Sequence, residues 1–290
     1  MSEGGFSRRA ALRGAAGAAM GLGAAAALSG TAAASPGTQG WWPGRMRVPK
    51  ERIAIQLYTL RSLLEQDTPG TLEALADMGY RNVELAGTYG RSAEEFRALL
   101  DRYHLRAVSS HIGFDGADVD QLIADTKVLG PRYADCAWAK FDTIAEWEAF
   151  AGRLDKAGRA FRRAGIRYGY HNHAHEFEPI DGVRPFDVLA RNTSWWHVHF
   201  EFDLYWLVVA GVDPVREFWC QPGRVRQFHV KDRAPDGGFA DLGTGTIDFG
   251  RIFRDTWIGG VRHYIVEHDQ PSDPLRTARV GYEYLTDLRF

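Results

Sequence analysis

Eight short apolar runs recur between residues 52 and 268, each separated from the next by an amphipathic stretch. They are Arg52–Tyr58, Arg81–Ala86, Arg106–Ser110, Arg132–Trp138, Ile166–His171, His197–Asp203, Val225–Lys231 and His263–His268. The intervening stretches carry a helical period. In Ile144–Ala164, for example, Trp147, Phe150, Leu154 and Phe161 share one face. Ser92–Tyr103 opens on an N-cap serine with Glu95 three residues on, the pattern of a capping box. Strands that alternate with helices pair in parallel through right-handed crossovers. Eight such units predict an α/β fold, a single closed (β/α)8 barrel of the roughly 250-residue TIM type. The competing arrangement is a doubly wound open sheet. It wants a glycine-rich loop after the first strand, where this chain has Tyr58-Thr59-Leu60-Arg61.

The first 34 residues have another character. They hold one glutamate and no aspartate, and Ala and Gly dominate after Arg13. Ser7–Leu12 resembles a twin-arginine export signal, the apolar stretch Ala15–Leu28 follows, and Ala32–Ala34 offers small residues to a peptidase. That stretch falls short of the roughly 20 apolar residues of a membrane span. The expected organisation is a signal peptide (1–34), an irregular lead-in (35–50) and one barrel domain (51–290). The expected destination is the periplasm or the extracellular space, with no stable membrane association after cleavage. Loss of Arg8, Arg9, Arg13 and Glu3 would take the net charge from −2 to −4. An acidic chain of this kind lacks the Lys/Arg excess of a nucleic-acid surface. Cys136 and Cys220 can pair in an oxidising compartment or stand as two free thiols, and the sequence leaves both open. It also leaves monomer and homo-oligomer open.

Barrel enzymes carry their chemistry at the C-terminal ends of the strands. Six of the runs end in polar, metal-competent groups: Glu84; His111; His171 and His173; Glu201 and Asp203; His229 and Lys231; Glu267 and Asp269. Side chains two apart on a strand share a face. If those faces point into the barrel mouth, His171, Asp203, His229 and Glu267 converge from four successive strands. Two carboxylates and imidazole nitrogens suit one divalent ion, Mn²⁺, Co²⁺, Mg²⁺ or Zn²⁺. Burying Asp203, His229 and Glu267 together without a cation would be costly.

From Ile53 to about Leu285 the sequence resembles the sugar phosphate isomerase/epimerase superfamily, the barrel group related to xylose isomerase. The matching pieces are IAIQLYTLR (Ile53–Arg61), NVELAG (Asn82–Gly87), YHNHAHEFEP (Tyr170–Pro179), FEFDLYW (Phe200–Trp206), FHVKDR (Phe228–Arg233), LGTGTIDF (Leu242–Phe249) and VEHD (Val266–Asp269). The resemblance implies metal ligands on the last four strands: glutamate, aspartate, histidine and glutamate. Asp203, His229 and Glu267 match three of them. The fifth-strand end reads His171-Asn172-His173 where many relatives read Glu-Asn-His, so His171 stands at the first ligand position. Glu176 is an alternative supplier of the missing carboxylate.

The chemistry so implied is proton abstraction next to a carbonyl, with a metal-stabilised enediolate. Only one of the two metal-bound glutamates of a symmetrical epimerase is present. The expected activity is a metal-dependent sugar isomerase or epimerase on a non-phosphorylated sugar or keto-sugar, with keto-glycoside β-elimination as the alternative. Glu267 is the expected base, with His173, Lys231 or His111 supplying the acid. Glu84, His111, Trp206 and Glu176 are the expected substrate contacts, and Tyr58, Trp138 and Tyr205 are further aromatics available for stacking on a sugar. An apurinic-endonuclease-like metallonuclease and a catalytically inactive sugar-binding barrel are competing functions. LGTGTIDF is either a phosphate loop or a plain turn ahead of a helix capped by Thr246 or Asp248. His104, His197, His199 and His263 are expected to be structural, and Asp232 and Asp269 to cap loops or support the ligands.

Overall fold

A computed structural model describes residues 46–290. The expected export signal, its expected cleavage point and most of the lead-in lie outside the described residues. Each of the eight apolar runs contains one strand: β1 Ile53–Gln56, β2 Asn82–Leu85, β3 Arg106–Ser110, β4 Tyr133–Cys136, β5 Arg167–His171, β6 Val198–Asp203, β7 Val225–Val230 and β8 His263–Val266. The strands are shorter than the runs because each run also supplies the turn into the next helix. Tyr58, for instance, lies in a single 3₁₀ turn, Leu57–Leu60, after β1. β1, β2, β4 and β6 are buried at every residue. This is why their sequences read as apolar runs and do not alternate.

All pairings within the barrel are parallel, in the order β3-β2-β1-β8-β7-β6-β5-β4. The seam between β3 and β4 is joined by one bridge, His111 to Asp135, and by the Ile112 amide donating to the Asp135 carbonyl at 2.8 Å. The barrel expected from the sequence is the fold found. The helices between the strands start where their caps say. Ser92 and Glu95 form the expected capping box, and Thr143 and Glu146 form a second one ahead of helix Ile144–Arg163. That helix buries Trp147, Phe150, Leu154 and Phe161 as its period predicted, and Phe161 stacks on Tyr168 of β5 at 4.4 Å. Truncating a ring so placed costs about 3–5 kcal/mol. No described helix is long and apolar enough to cross a membrane. Cys136 is buried, Cys220 is exposed, and both are free thiols.

The LGTGTIDF segment is a plain loop. Its amides fold onto the Asp232 carboxylate, which accepts from Gly243 at 3.0 Å, Gly245 at 3.0 Å and Ile247 at 3.2 Å. A Cβ at Gly245 would collide with that carboxylate. The donors that would cradle a phosphate are therefore already occupied. Asp232 caps the loop as expected, and Asp248, not Thr246, caps the helix that follows.

Candidate metal centre and substrate cavity

Register fixes which side chains meet at the mouth. Asp203 of β6 is level with His229 of β7, Glu201 is level with Gln227, and His171 of β5 is level with Glu201. These residues face inward together and build one polar network. Its base is Asp135, whose carboxylate lies 2.9 Å from His199 Nε2. The same His199 nitrogen meets Gln227 Oε1 at 3.0 Å, and Gln227 Nε2 donates to Glu201 Oε1 at 2.9 Å. Gly169 leaves room for this crossing, since a Cβ there would collide with Asp135 and the His199 ring.

Above that layer the Glu201 carboxylate is ringed by imidazoles: His111 Nε2 at 2.8 Å, His171 Nδ1 at 3.3 Å and His229 Nε2 at 3.3 Å. His229 sits between carboxylates on both of its edges. Nε2 is 2.5 Å from Glu84 and Nδ1 is 2.8 Å from Glu267. Lys231 is buried among three more contacts: Asp203 at 3.0 Å, Glu267 at 2.7 Å and Asp269 at 2.7 Å.

The charges follow from this packing. Burial opposes the His229 charge, but Glu201, Glu267 and Glu84 outweigh it and hold the ring protonated well above its ordinary range. Burial lifts Glu201 well above the carboxylate range, and the neighbouring Glu84 adds to it. Burial likewise raises Asp203 to about 6, against the pull of Lys231. His171 is pushed well below its usual value by burial, with His229 and His111 adding repulsion. His173 is lowered to about 3 by burial, with Lys231 the next cause. Both imidazoles are therefore neutral near pH 7.

Three groups of side chains bring ligand atoms close enough together for one ion: one, Glu84, Asp135 and Glu201, is all carboxylate, and the other two share His229. Of those two, one is Asp203, His229 and Glu267; the other is His111, His171, Glu201 and His229. His171 Nε2 is also 3.7 Å from Asp203 Oδ2, so it borders the Asp203 group as well. The donor set fits a divalent cation. Five carboxyl groups (Glu84, Glu201, Asp203, Glu267 and Asp269) crowd here around two cations, Lys231 and the protonated His229. Glu84 Oε1 is buried with no hydrogen-bond partner, and Asp203 Oδ2 has only its ion pair with Lys231 at 3.0 Å within hydrogen-bond distance.

A cavity of about 620 Å³ opens over this network. His111, His171, His173, Lys231 and Glu267 line it. Tyr58 and Trp138, both largely exposed, add aromatic walls. Trp138 also packs its ring 4.9 Å from His173 and 4.8 Å from His175.

Four expectations are corrected. Glu84 does not reach the cavity: it is wholly buried beneath His229, with Gln56 Nε2 donating to it at 2.7 Å. Glu176 does not replace the missing glutamate. Its two oxygens accept from the Tyr170 hydroxyl and the His173 amide, each at 2.8 Å, so it braces the strand end from behind. Trp206 lies 5.4 Å from the His173 ring and under the Lys231 ammonium at 5.5 Å, outside the cavity wall. Tyr205 is buried, and its hydroxyl donates to the Gly237 carbonyl at 2.9 Å. Sequence reasoning left Glu201 without a role, although alternation placed it on the face of Asp203. It also left out Arg61, which lines the cavity and donates to the Asp269 carbonyl at 2.8 Å.

The profile of a family described as Xylose isomerase-like TIM barrel matches residues 72–256. An inosose dehydratase of Geobacillus kaustophilus is 24% identical over 291 residues, covering 78% of this chain and 92% of that protein. A solved sugar phosphate isomerase/epimerase from Parabacteroides distasonis superposes with a TM-score of 0.73 at 25% identity, covering 81% of this chain and 98% of that one. The IOLI protein, solved with a bound zinc atom, shares the fold at a TM-score of 0.64 and 14% identity, covering 81% of this chain and 97% of that one.

Proposed function

This chain belongs to the xylose isomerase-like TIM barrel family, and we propose that it is a metal-dependent enzyme of carbohydrate ketones. It takes a proton from the carbon beside the carbonyl of a non-phosphorylated keto-sugar or cyclic polyhydroxy ketone, and then expels an oxygen substituent from the next carbon. Isomerisation and epimerisation share the first step. Elimination is favoured by one observation, the asymmetry of the cavity wall. Among the described residues Glu267 is the one glutamate that lines the cavity, tied to Lys231 at 2.7 Å and His229 at 2.8 Å. Three imidazoles, His111, His171 and His173, line it as well, so the described lining holds no pair of glutamates. The curated relative supports the same class, since its name is that of a dehydratase.

Asp203, His229 and Glu267 would hold the ion, with His171 at their border. When bound, a divalent ion polarises the carbonyl and stabilises the negative charge that develops on its oxygen. His171 and His173 are held neutral and so leave their nitrogen lone pairs free for an ion or a substrate hydroxyl, while Glu267 is the base that would accept the carbon-bound proton. Lys231 keeps its proton under the influence of Asp203, Glu267 and Asp269, and is the cation placed to donate to a departing oxygen. Tyr58 and Trp138 offer flat apolar faces to the C–H face of a sugar ring, while Arg61 offers a charge-assisted donor to its hydroxyls.

The test is exchange in D₂O. Protein loaded with Mn²⁺ would be offered ketoses, 3-keto-glycosides and inososes, with carbon-bound deuterium followed by NMR. Deuterium beside the carbonyl together with loss of water or alcohol supports elimination. Deuterium with an isomeric sugar as the sole product moves the assignment to isomerase. No deuterium and no product from the whole panel would overturn the proton-abstraction chemistry.

A further inference from the structure

The opposite end of the barrel carries a second cavity, of about 230 Å³, lined by Arg132, Tyr133, Arg167, Arg226, Arg262 and His263. All six stand at strand starts, and the parallel ladder puts the arginines side by side. The Arg167 amide donates to the Arg132 carbonyl at 2.9 Å, and the Arg262 amide to the Arg226 carbonyl at 2.7 Å. Among the described residues no carboxylate pairs with their guanidinium groups, and the one side-chain hydrogen bond is a long one, Arg226 to the Gly260 carbonyl at 3.4 Å. Other arginines of the chain do find carboxylates, among them Arg97 with Asp101, Arg153 with Asp115, Arg184 with Asp187, and Arg251 with Asp213; what sets Arg132, Arg167, Arg226 and Arg262 apart is that they line one cavity together. The 45 residues outside the described region contain a single carboxylate, Glu3. His263 faces the same cavity, and its Nδ1 is buried with no hydrogen-bond partner.

We propose that this arginine cavity binds a compact multivalent oxyanion of the phosphate type. Planar guanidinium forks match tetrahedral oxyanions two bonds at a time, and several forks around one cavity select for more than one negative charge. The volume lies below the roughly 300–1,000 Å³ of sites that take drug-sized ligands, which limits the occupant to a small anion or to a headgroup presented by something larger. The mutual repulsion supports the assignment. Burial lowers the Arg226 pKa, and the like charges of Arg167 and Arg262 lower it further. The cavity is separate from the substrate cavity, and its assignment does not rest on the enzymatic reaction.

The test uses full-length protein, calorimetry with inorganic phosphate and pyrophosphate, and flotation with phosphatidylcholine vesicles with and without phosphatidic acid. Pyrophosphate should bind more tightly than phosphate and weaken as salt rises. The double substitution Arg167→Gln/Arg262→Gln should weaken it at least tenfold, Arg167→Lys/Arg262→Lys should retain part of the binding, and Arg97→Gln should change nothing. Binding of pyrophosphate without vesicles assigns a free anion. Capture by phosphatidic acid vesicles alone, lost in the Gln variant, assigns a lipid headgroup. Wild type and a folded Gln variant that bind alike, or a wild type that binds neither probe at millimolar concentration, would overturn the site.

Discussion

The two ends of this barrel treat charge in opposite ways. At the C-terminal mouth, five carboxylates are drawn together around His229 and Lys231, and both cations have carboxylate partners within 3.0 Å. At the N-terminal end, four arginines share a cavity with no described carboxylate to receive them. Burial makes the first arrangement self-satisfying apart from its surplus of negative charge. The second stays half in solvent and tolerates its repulsion. The difference teaches that an unpaired cluster means different things at different depths. A buried one demands an ion for stability, whereas a partly exposed one can wait for a ligand at modest cost.

The largest effect should come from the mouth. Glu267→Gln and Asp203→Asn, with the fold intact by circular dichroism, should each lower kcat roughly 10³-fold. Bound Mn²⁺ should fall with it when measured by atomic emission. Full activity in both variants would remove the metal centre from these residues. Next is Lys231→Met. It leaves Asp203, Glu267 and Asp269 without their shared cation, and should cost the metal-free protein about 3–5 kcal/mol. For a domain of this size that is roughly 10 °C in Tm, and added Mn²⁺ should restore part of it. An unchanged Tm would mean that the three carboxylates take up protons when the lysine is gone, and the contrast with the other end would weaken.

The barrel was legible because eight buried parallel strands leave eight apolar runs, and their ends point the same way. Asp203, His229 and Glu267 were legible because strand ends are where polar side chains gather in such a fold. Which strand-end carboxylate is covered was not. Val83 and Val266 pair with the same Ile55 of β1, so Glu84 and Glu267 stand level on their strands, yet Glu84 is closed in by Gln56 and the His229 ring while Glu267 lines the cavity. Glu176 looked free in the sequence, three residues beyond His173. The turn that folds it back onto the Tyr170 hydroxyl is a local geometry with no side-chain signature. Glu201 shared a face with Asp203 in plain sight, but its role comes from His111, His171, Gln227 and His229, each on another strand. The arginines were visible at or beside the starts of four runs, Arg132 opening one, Arg167 and Arg226 second in theirs, and Arg262 just ahead of another. Their convergence depended on closure of the barrel, which sequence pattern predicts without showing which strand starts meet.

The two smallest effects test the arginine end. His263 is lowered to about 4 by burial, with Arg52, Arg262 and Arg132 adding to the effect against Glu84. An unfolded histidine titrates near 6.5, so as the pH falls the unfolded chain binds the proton first. The stabilising contribution is complete above about pH 6.5 and is lost progressively down to about pH 4. His263→Leu should therefore gain about 2 kcal/mol on the wild type across that interval, read from urea melts at each pH. A constant difference would mean that the surroundings of His263, burial first and the arginines after it, do not hold its proton affinity down. Last is Arg262→Gln. Removing one of four crowded like charges should raise stability by about 0.5 kcal/mol at low ionic strength, and the gain should vanish near 1 M salt. Its sign is opposite to that of Lys231→Met, although each substitution removes a single positive charge. At the mouth the charge is a partner; at the other end it is a surplus. A loss of stability in Arg262→Gln that persists in high salt would show a packing role for the guanidinium, and a phosphate titration would then have to carry the case for the anion cavity alone.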